Sequence, residues 1–239
     1  MVTYLRQLEV IKILRINEIF KSIQGEGKYA GYPVLFIRLA GCTRKCDFCD
    51  TKYHIENQTM RVEDVAKEIR ASKAKIIVWT GGEPTLQMYD IMQVQDILTD
   101  IYSKNNNSVR HHLETNGDIQ FDYDRFDYIA FSPKDEVACK NVRHSIAKLS
   151  YFSNDYDIKI VTDLTMNKNL IPYATMLMPL TLAKLPDAPE HSRYSIVWEK
   201  LLQQENQKIE QAVWIFCTLN DVRFCLRQHI HVWGQNRGV

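Results

Sequence analysis

Short apolar runs alternate along the chain with segments of helical periodicity. Runs of this length that are rich in β-branched residues predict buried strands. We expect such strands at Val34–Leu39, Lys75–Trp79, Val109–Leu113, Tyr128–Phe131, Asp157–Val161, Tyr173–Met178 and Val222–Leu226. Because strands that alternate with helices are typical of βα units, the pattern predicts an α/β fold with a mainly parallel sheet.

Three segments between these runs carry apolar residues at helical spacing. Val62–Ala71 follows Thr59, a candidate N-terminal cap, and Leu86–Tyr102 has one apolar stripe. Trp198–Phe216 is a third helical segment, with a polar middle rich in Gln and Lys. No internal repeat or low-complexity tract interrupts this alternation.

Short polar or glycine-rich motifs follow several predicted strands. They are the Cys42–Cys49 loop, Gly81-Gly82-Glu83-Pro84, Glu114-Thr115-Asn116-Gly117, Ser132-Pro133-Lys134 and Met178-Pro179. In β/α barrels the loops at the carboxyl ends of the strands open on one face, where active sites are built. We therefore expect these loops to converge on one site.

Composition is compatible with a single enzyme domain that acts on small molecules. The chain has 239 residues, of which 45% are hydrophobic and 25% charged, enough for one sizeable core. The formal net charge is +1, so nothing in it predicts attraction to nucleic acid or to a membrane surface. Met1–Ile16 lacks the apolar core of a signal peptide, which favours a cytoplasmic protein.

Three cysteines within eight residues, Cys42, Cys46 and Cys49, form a Cys-X3-Cys-X2-Cys loop. Iron–sulfur clusters normally take four thiolates, so a three-cysteine loop leaves one iron of a four-iron cluster open. The alternative is a zinc knuckle completed by Asp50 or His54.

The other three cysteines are far apart and have no metal-like spacing. They are Cys139, Cys217 and Cys225. Buried free thiols are therefore favoured over a second cluster.

The cysteine spacing together with Gly81-Gly82-Glu83-Pro84 resembles the radical S-adenosylmethionine (SAM) superfamily. Adjacent glycines at a strand end let the main chain approach a ligand closely, and Glu83 offers an acceptor for an ammonium group. The resemblance implies a partial TIM-like (β/α)6 barrel, a 4Fe-4S cluster on the three cysteines, and SAM bound to the open iron.

A wider set of motifs resembles one family within that superfamily, the 7-carboxy-7-deazaguanine synthases of queuosine and 7-deazapurine biosynthesis. The set comprises Asn17–Gly27, Phe36–Cys42, Cys49-Asp50-Thr51, Ser132-Pro133-Lys134 and Trp233–Val239. Lys168–Gln211 departs from the family pattern, and we expect one domain over residues 1–239 with a variable insertion at about 180–212.

The resemblance implies conversion of 6-carboxy-5,6,7,8-tetrahydropterin to 7-carboxy-7-deazaguanine with release of ammonia. The 5′-deoxyadenosyl radical would abstract a hydrogen atom before the ring contracts. It also implies a homodimer and a flavodoxin-type electron donor. A glycyl-radical-enzyme activase, or a zinc-stabilised binding module, remains the alternative function.

The cofactor contacts follow from the same resemblance. SAM contacts are expected from Phe48, Asp50, Gly82, Glu83, Ser132, Pro133 and Lys134. Mg²⁺ is expected on Thr51, since this ion is held by few protein oxygens together with substrate oxygens. Lys134, taken alone, is more typical of a surface lysine.

Substrate contacts form the last predicted set. They are Ile23, Gln24, Gly25, Glu26, Arg38, Thr80, His229 and Val239. Gln24 and Glu26 suit the donors and acceptors of a pterin pyrimidine edge, and the Arg38 fork suits a carboxylate. Turn residues and a solvated strand arginine are the alternative interpretation, and His231 is the alternative to His229.

Overall fold

The structure, a computed structural model, describes residues 12–46, 49, 57–103, 108–121, 123–149, 155–187 and 196–234. Its strands are β1 (Ile13–Ile23), β2 (Pro33–Leu39), β3 (Gln58–Arg61), β4 (Ile76–Gly81), β5 (Arg110–Thr115), β6 (Tyr128–Phe131), β7 (Asp155–Thr162), β8 (Met176–Pro179) and β9 (Arg223–Phe224). Its α-helices are α1 (Val62–Ser72), α2 (Met88–Ser103), α3 (Glu136–Leu149), α4 (Ile196–Asn220) and α5 (Gln228–Trp233).

Within these ranges the strands form one open sheet. The order is β3-β1-β2-β4-β5-β6-β7-β8-β9, and the two edges do not pair with each other. Every neighbouring pair from β2 through β9 is parallel, whereas β1 runs antiparallel to β2 and β3. The predicted α/β class and mainly parallel sheet are confirmed.

The predicted strands are all present, but two have substantial errors of extent: Val222–Leu226 is reduced to Arg223–Phe224, and Tyr173–Met178 begins later than predicted. Tyr128–Phe131 has the predicted bounds, but the prediction of strand at Tyr173 is wrong. Lys168–Tyr173 instead forms a 3-10 helix that contains Pro172. Proline has no N–H to donate to a strand ladder, which explains why the chain enters the sheet only at Met176.

Several elements had no sequence prediction, and β1 is the longest of them among the strands. Its pairing register with β2 shifts between Ile16 and Glu18. Such an irregularity breaks the period of two on which strand recognition depends. The elements β3, α3 and α5 were also missed.

The predicted cap of α1 is wrong. Thr59 lies in β3, and the helix is preceded by Arg61, whose side chain makes no capping hydrogen bond. The Val62 N–H donates instead to the Lys12 carbonyl at 3.2 Å. A main-chain acceptor from the neighbouring strand thus replaces a side-chain cap.

The two faces of β2 have different roles. Leu35, Ile37 and Leu39 belong to the main core, which also includes the buried residues of α1 and α2. Because side chains alternate along a strand, Arg38 lies on the opposite, inner face. Arg38 pairs in register with Thr80 of β4, so both are placed on the inner face near the carboxyl ends of their strands.

The helix α4 extends the third predicted helical segment at both ends. Among its described residues, Val213 and Cys217 are buried, whereas Trp214, Ile215 and Leu219 are exposed. Within the described parts of the chain, no helix combines the length and apolarity needed to span a membrane. The single domain and the insertion at about 180–212 stay predictions.

Candidate active site

The three clustered cysteines follow β2 at the carboxyl edge of the sheet. Cys42, Cys46 and Cys49 are partly exposed and form no disulfide. The Arg44 N–H donates to Cys42 Sγ at 3.5 Å, and the Cys49 N–H donates to the Cys46 carbonyl at 3.2 Å. Burial raises the pKa of the Cys42 thiol. A loop that turns back on itself in this way presents three sulfur ligands from one short segment.

Arg44, inside the cysteine loop, fastens that loop to two neighbouring βα loops. Its Nε donates to Asp118 Oδ2 at 2.7 Å, and Nη1 donates to Asp135 Oδ2 at 2.7 Å. The Asp118 hydrogen bond is the main cause that raises the pKa of the guanidinium. Asn116 Nδ2 adds a bond to Thr43 Oγ1 at 2.9 Å. The loops after β2, β5 and β6 are therefore joined.

The main chain directly after β4 contacts the end of β2 and the start of the cysteine loop. The Gly82 N–H donates to the Leu39 carbonyl at 3.0 Å, and the Glu83 N–H donates to the Gly41 carbonyl at 2.8 Å. A Cβ on Gly82 would lie 1.9 Å from the Gly41 oxygen. No side chain fits there, which explains the glycine by close approach of two backbones.

The Glu83 carboxylate is fully buried. Its Oε1 accepts from Thr85 N–H (3.1 Å), Thr85 Oγ1 (2.6 Å) and Thr115 Oγ1 (2.7 Å). Its Oε2 accepts from the Asn116 N–H at 2.7 Å. Burial raises the pKa of Glu83, and these donors oppose that shift. Among the described contacts Oε2 has one donor, so it retains room for an ammonium group.

Five polar side chains meet on the inner face of the sheet and are here termed the polar cluster: Gln24, Glu26, Thr80, Glu114 and Lys159. The Lys159 ammonium donates to Glu26 Oε2 at 2.8 Å and lies 3.4 Å from Glu114 Oε1. Gln24 Nε2 donates to Glu114 Oε1 at 3.0 Å, and Thr80 Oγ1 lies 3.4 Å from Glu114 Oε2. The cluster thus combines an ammonium, an amide and two carboxylates.

Charge pairing keeps the cluster ionised despite its burial. Burial alone would raise the pKa of Glu26, but Lys159, His229 and Arg227 outweigh it and lower that pKa to about 2. Burial alone would lower the pKa of Lys159, whereas Glu114 and Glu26 raise it well above its usual value. The two carboxylates and one ammonium therefore carry a net negative charge.

Arg38 lies beside the polar cluster on the same face. Its Nε donates to Glu18 Oε1 at 2.7 Å, and its guanidinium lies 5.7 Å from the centre of the Phe20 ring. Both partners come from β1, which is antiparallel to β2. The neighbouring strand therefore orients the guanidinium.

The two candidate histidines have different surroundings. A Cβ placed on Gly25 would lie 2.6 Å from His229 Nδ1, so His229 packs directly on the loop that carries Glu26. The Gln228 N–H also donates to the Gly25 carbonyl at 3.0 Å. His231 instead pairs with Glu210 Oε1 at 2.8 Å, on α4. Only the first of the two lies beside the polar cluster.

The Ser132-Pro133-Lys134 segment directly follows β6. The Ser132 N–H donates to the Thr115 carbonyl at 2.7 Å, and Lys134 Nζ donates to Ser132 Oγ at 2.9 Å. This turn is thereby tied to the loop that also supplies donors to Glu83.

Four predicted site residues are outside the described part of the chain, and a fifth, Ile23, faces away from the polar cluster. Phe48, Asp50, Thr51 and Val239 are outside the described residues. Ile23 is 48% exposed, and strand alternation places its side chain on the face opposite to Gln24. Any contribution of Ile23 to the polar cluster is therefore limited to its main chain.

Sequence reasoning missed Glu114 and Lys159 as members of the site. Glu114 begins a motif already noted at the end of β5, and Lys159 lies between two isoleucines in β7. A lysine within a buried strand was the available signal, because lysine is almost never buried without a partner.

A second group of polar residues lies on the inner face below the polar cluster and is termed the lower cluster: Lys28, Tyr128, Asp157, Thr175 and Arg223. Asp157 is fully buried, and its Oδ2 accepts from Tyr128 Oη at 2.7 Å and the Lys28 N–H at 3.1 Å. Its Oδ1 accepts from Arg223 Nη1 at 2.6 Å and Thr175 Oγ1 at 3.2 Å. All four acceptor positions of this carboxylate are used.

The remaining cysteines are buried, as predicted. Cys139 and Cys217 belong to the main core, and Cys225 belongs to a smaller apolar cluster. Burial raises the pKa of each thiol, to about 11 for Cys139. Neutral, enclosed thiols of this kind are packing residues.

Comparisons with known proteins agree with this geometry. The family model of the Radical SAM superfamily matches residues 36–139, which include the cysteine loop and both glycines. A 7-carboxy-7-deazaguanine synthase of Bacteroides thetaiotaomicron is 35% identical over 144 residues, covering 60% of this chain and 74% of the relative. The chain belongs to the 7-carboxy-7-deazaguanine synthase family.

Other family members match over different lengths. The synthase of Aquifex aeolicus is 29% identical over 206 residues, covering 84% of this chain and 88% of that protein. The synthase of Hyperthermus butylicus is 40% identical over 108 residues, and the chain spans less than half of that relative, 43%. These relatives support a radical SAM enzyme and do not favour the activase or the zinc module.

Solved structures share the fold at low identity. QueE from Escherichia coli has a TM-score of 0.54 at 20% identity, covering 91% of this chain and 95% of its own. A structure of anSMEcpe with bound AdoMet has a TM-score of 0.52 at 19% identity, covering 83% and 65%. The likeness confirms the partial barrel of the superfamily.

The residues present also fit the cofactors that the family implies. Three cysteines in one short loop supply the type and number of donors that an iron–sulfur cluster with one open iron requires. The Gly82 main chain packs against the first of these cysteines, where a Cβ would lie 3.1 Å from Cys42 Cβ. The predicted SAM motif and the predicted cluster ligands are thus adjacent.

Proposed function

We propose that this protein converts 6-carboxy-5,6,7,8-tetrahydropterin to 7-carboxy-7-deazaguanine and ammonia. The observation that carries the proposal is the position of the polar cluster on the inner face of the sheet, at the edge that also holds the cysteine loop. A flat heterocycle with several ring donors needs carboxylate and amide partners, and Gln24, Glu26 and Glu114 provide them.

The chain's own residues would position the cofactors. Cys42, Cys46 and Cys49 would hold the 4Fe-4S cluster, while Gly82 and Glu83 would bind the amino group of SAM. Additional SAM contacts would come from Phe48, Asp50, Ser132, Pro133 and Lys134. When bound, the cluster and SAM supply the 5′-deoxyadenosyl radical that abstracts a hydrogen atom from the substrate.

The substrate would lie across the polar cluster. Glu26 and Gln24 would face its pyrimidine edge, and the Arg38 guanidinium would bind its carboxylate. Gly25 brings the loop close to His229, which would contact the ring from the α5 side. Ile23, Thr80 and Val239 complete the proposed contacts.

Mg²⁺ is proposed on Thr51, between the protein and the substrate. A hard cation of this kind keeps several waters and accepts few protein oxygens, so one threonine with substrate oxygens is a sufficient ligand set. The support is the family membership together with the Cys49-Asp50-Thr51 sequence.

A cytoplasmic homodimer with a flavodoxin-type electron donor completes the proposal. Exposed apolar side chains support an interface between subunits: Trp214, Ile215 and Leu219 on α4, and Val232 and Trp233 on α5. Large exposed apolar side chains that are close together are typical of interaction surfaces. The chain is proposed to act as one domain with a variable insertion at about 180–212.

The direct test is anaerobic turnover. Reconstituted protein is incubated with SAM, dithionite and the carboxytetrahydropterin, and the products are followed by mass spectrometry. We expect 7-carboxy-7-deazaguanine and 5′-deoxyadenosine. A brown, iron-loaded protein that cleaves SAM but leaves the pterin unchanged would contradict the proposed substrate, and a colourless zinc protein would contradict the whole proposal.

A further inference from the structure

Lys159 is the most deeply buried charge in the polar cluster. Its side chain is 3% exposed, compared with 13% for Glu26 and 24% for Glu114. A buried lysine side chain is costly unless its charge is compensated, and here two carboxylates from two other segments compensate it. The Lys159 ammonium therefore acts directly on both carboxylates.

To bind the edge of a pterin ring, the two carboxylates need a neighbouring positive charge. The 2-amino and ring N–H groups of a pyrimidinone are donors, so an acid that faces them must be deprotonated to accept both. If the ammonium were removed, the two neighbouring carboxylates would repel each other, and this repulsion together with the burial of Glu26 would favour a neutral acid.

We infer that Lys159 is a positioning and specificity-determining residue, which keeps Glu26 deprotonated and holds the carboxylates of Glu26 and Glu114 aimed at the N–H donors of a 2-amino-4-oxopyrimidine ring. The inference rests on the proposed function and extends it to a residue that does not itself need to touch the substrate. An ammonium has three N–H donors, and two of them have the carboxylate partners described above.

The wider surroundings of Glu26 do not replace the lysine. The titratable or charged groups near it or near Lys159 are Glu114, Tyr128, Cys225, Arg227 and His229. Burial raises the pKa of Tyr128 and Cys225, so both are neutral near pH 7. Arg227 and His229 come from the α5 side, whereas the Lys159 ammonium contacts the carboxylates of both Glu26 and Glu114.

The test compares Lys159→Met, which keeps length without charge, with Lys159→Arg, which keeps charge. In Lys159→Met we expect an additional protonated carboxyl band at pH 7 by infrared difference spectroscopy, absent from wild type and removed by Glu26→Gln. The KM for the pterin should rise about 10- to 100-fold at pH 7, as for loss of hydrogen bonds to charged groups. That increase should shrink as pH rises and the acid ionises.

Four further measurements separate this role from a purely structural one. Uncoupled SAM cleavage should be unchanged in Lys159→Met, and Lys159→Arg should restore most of the pterin affinity. Leu98→Ala, which opens a cavity in the main core, should lower thermal stability without changing KM. The pH profile is repeated with His229→Gln added, so that titration of that histidine does not produce the effect.

The outcomes are decisive. Absence of the carboxyl band, a KM like that of wild type, or a KM increase that is equal at all pH values would each overturn the role of Lys159. Wild-type protein that does not convert the pterin would instead overturn the proposed function, and the infrared measurement would still decide the ionisation of the two carboxylates without any substrate.

Discussion

The polar cluster and the lower cluster contain similar residues on the same face of the sheet, yet they differ in how far their hydrogen-bonding capacity is used. Lys159 and Asp157 are two residues apart on β7 and point the same way. Asp157 is fully buried, and all its acceptor positions are filled by protein donors. Glu114, by contrast, is 24% exposed.

This difference separates a structural ion pair from a binding site. A buried carboxylate whose two oxygens each accept from two protein donors, as in Asp157, stabilises the connection between strands and has no acceptor position left for a ligand, whereas Glu83 Oε2 has one described donor. A carboxylate that is partly exposed, at the end of the sheet where the βα loops converge, retains capacity. The distance from the carboxyl edge therefore predicts which buried charges act on a substrate.

The largest effect is expected at the cysteine loop, above the polar cluster. Replacing Cys42, Cys46 or Cys49 by Ala should abolish cluster binding and SAM cleavage, because two thiolates do not hold a four-iron cluster. Iron content and 5′-deoxyadenosine formation are measured anaerobically. Cys139→Ser is the matched control and should retain both; a Cys49→Ala protein that keeps four irons and activity would contradict the assignment.

Disrupting the lower cluster should lower the stability of the fold and leave substrate binding unchanged. Asp157→Asn leaves Tyr128, the Lys28 N–H and Arg223 without a full acceptor, and we expect a loss of about 3 kcal/mol in the free energy of unfolding. Denaturant unfolding measures this loss. The KM for the pterin should be unchanged in the folded fraction, and a large KM increase with normal stability would mean that the two clusters are wrongly distinguished.

Replacing Arg38, beside the polar cluster, tests whether this region binds the substrate carboxylate. Arg38→Met should raise the KM for the carboxylated pterin about 10- to 100-fold, since a bidentate carboxylate contact is lost. Added Mg²⁺ should not restore it. Steady-state kinetics against pterin concentration provide the measurement, and the uncarboxylated tetrahydropterin serves as a competitor whose affinity should not change. Equal losses for both ligands would exclude the carboxylate role.

Thr51→Ala should lower pterin turnover less than these changes, and added Mg²⁺ should partly reverse the loss. If Thr51 donates an oxygen ligand to Mg²⁺, iron content and uncoupled SAM cleavage should persist while pterin turnover falls, and extra Mg²⁺ should recover part of it. Turnover is titrated against Mg²⁺ in both proteins. Wild-type activity with the same metal dependence would identify Thr51 as an ordinary loop residue.

The smallest effect concerns acid stability of the polar cluster. The pKa of Glu26 is lowered from its ordinary value of 4.5 to about 2, so its charge stabilises the fold above pH 4.5 and is lost as pH falls through 2. Glu26→Gln should therefore lower stability near neutral pH and converge with wild type near pH 2. Urea unfolding of the apoprotein at several pH values tests this, and a constant difference would contradict it.

The sequence by itself determined the chemistry that is encoded in contiguous motifs. The cysteine spacing and Gly81-Gly82-Glu83-Pro84 are each complete within a few residues, so their ligand types can be read without the fold. Buried strands such as Tyr128–Phe131 could also be predicted from the local sequence, since a short apolar run between turns indicates a buried strand. Family resemblance then supplied the expected substrate.

Only the tertiary structure decided which distant charges meet. Lys159 and Glu26 are 133 positions apart, and their contact depends on the register of β7 within the sheet and on the path of the β1–β2 loop. No local propensity encodes that register, because it follows from packing of the whole sheet. The same holds for Glu83, which accepts from Thr115 and Asn116 at the end of β5 as well as from the nearby Thr85, and for the choice between His229 and His231 beside Gly25.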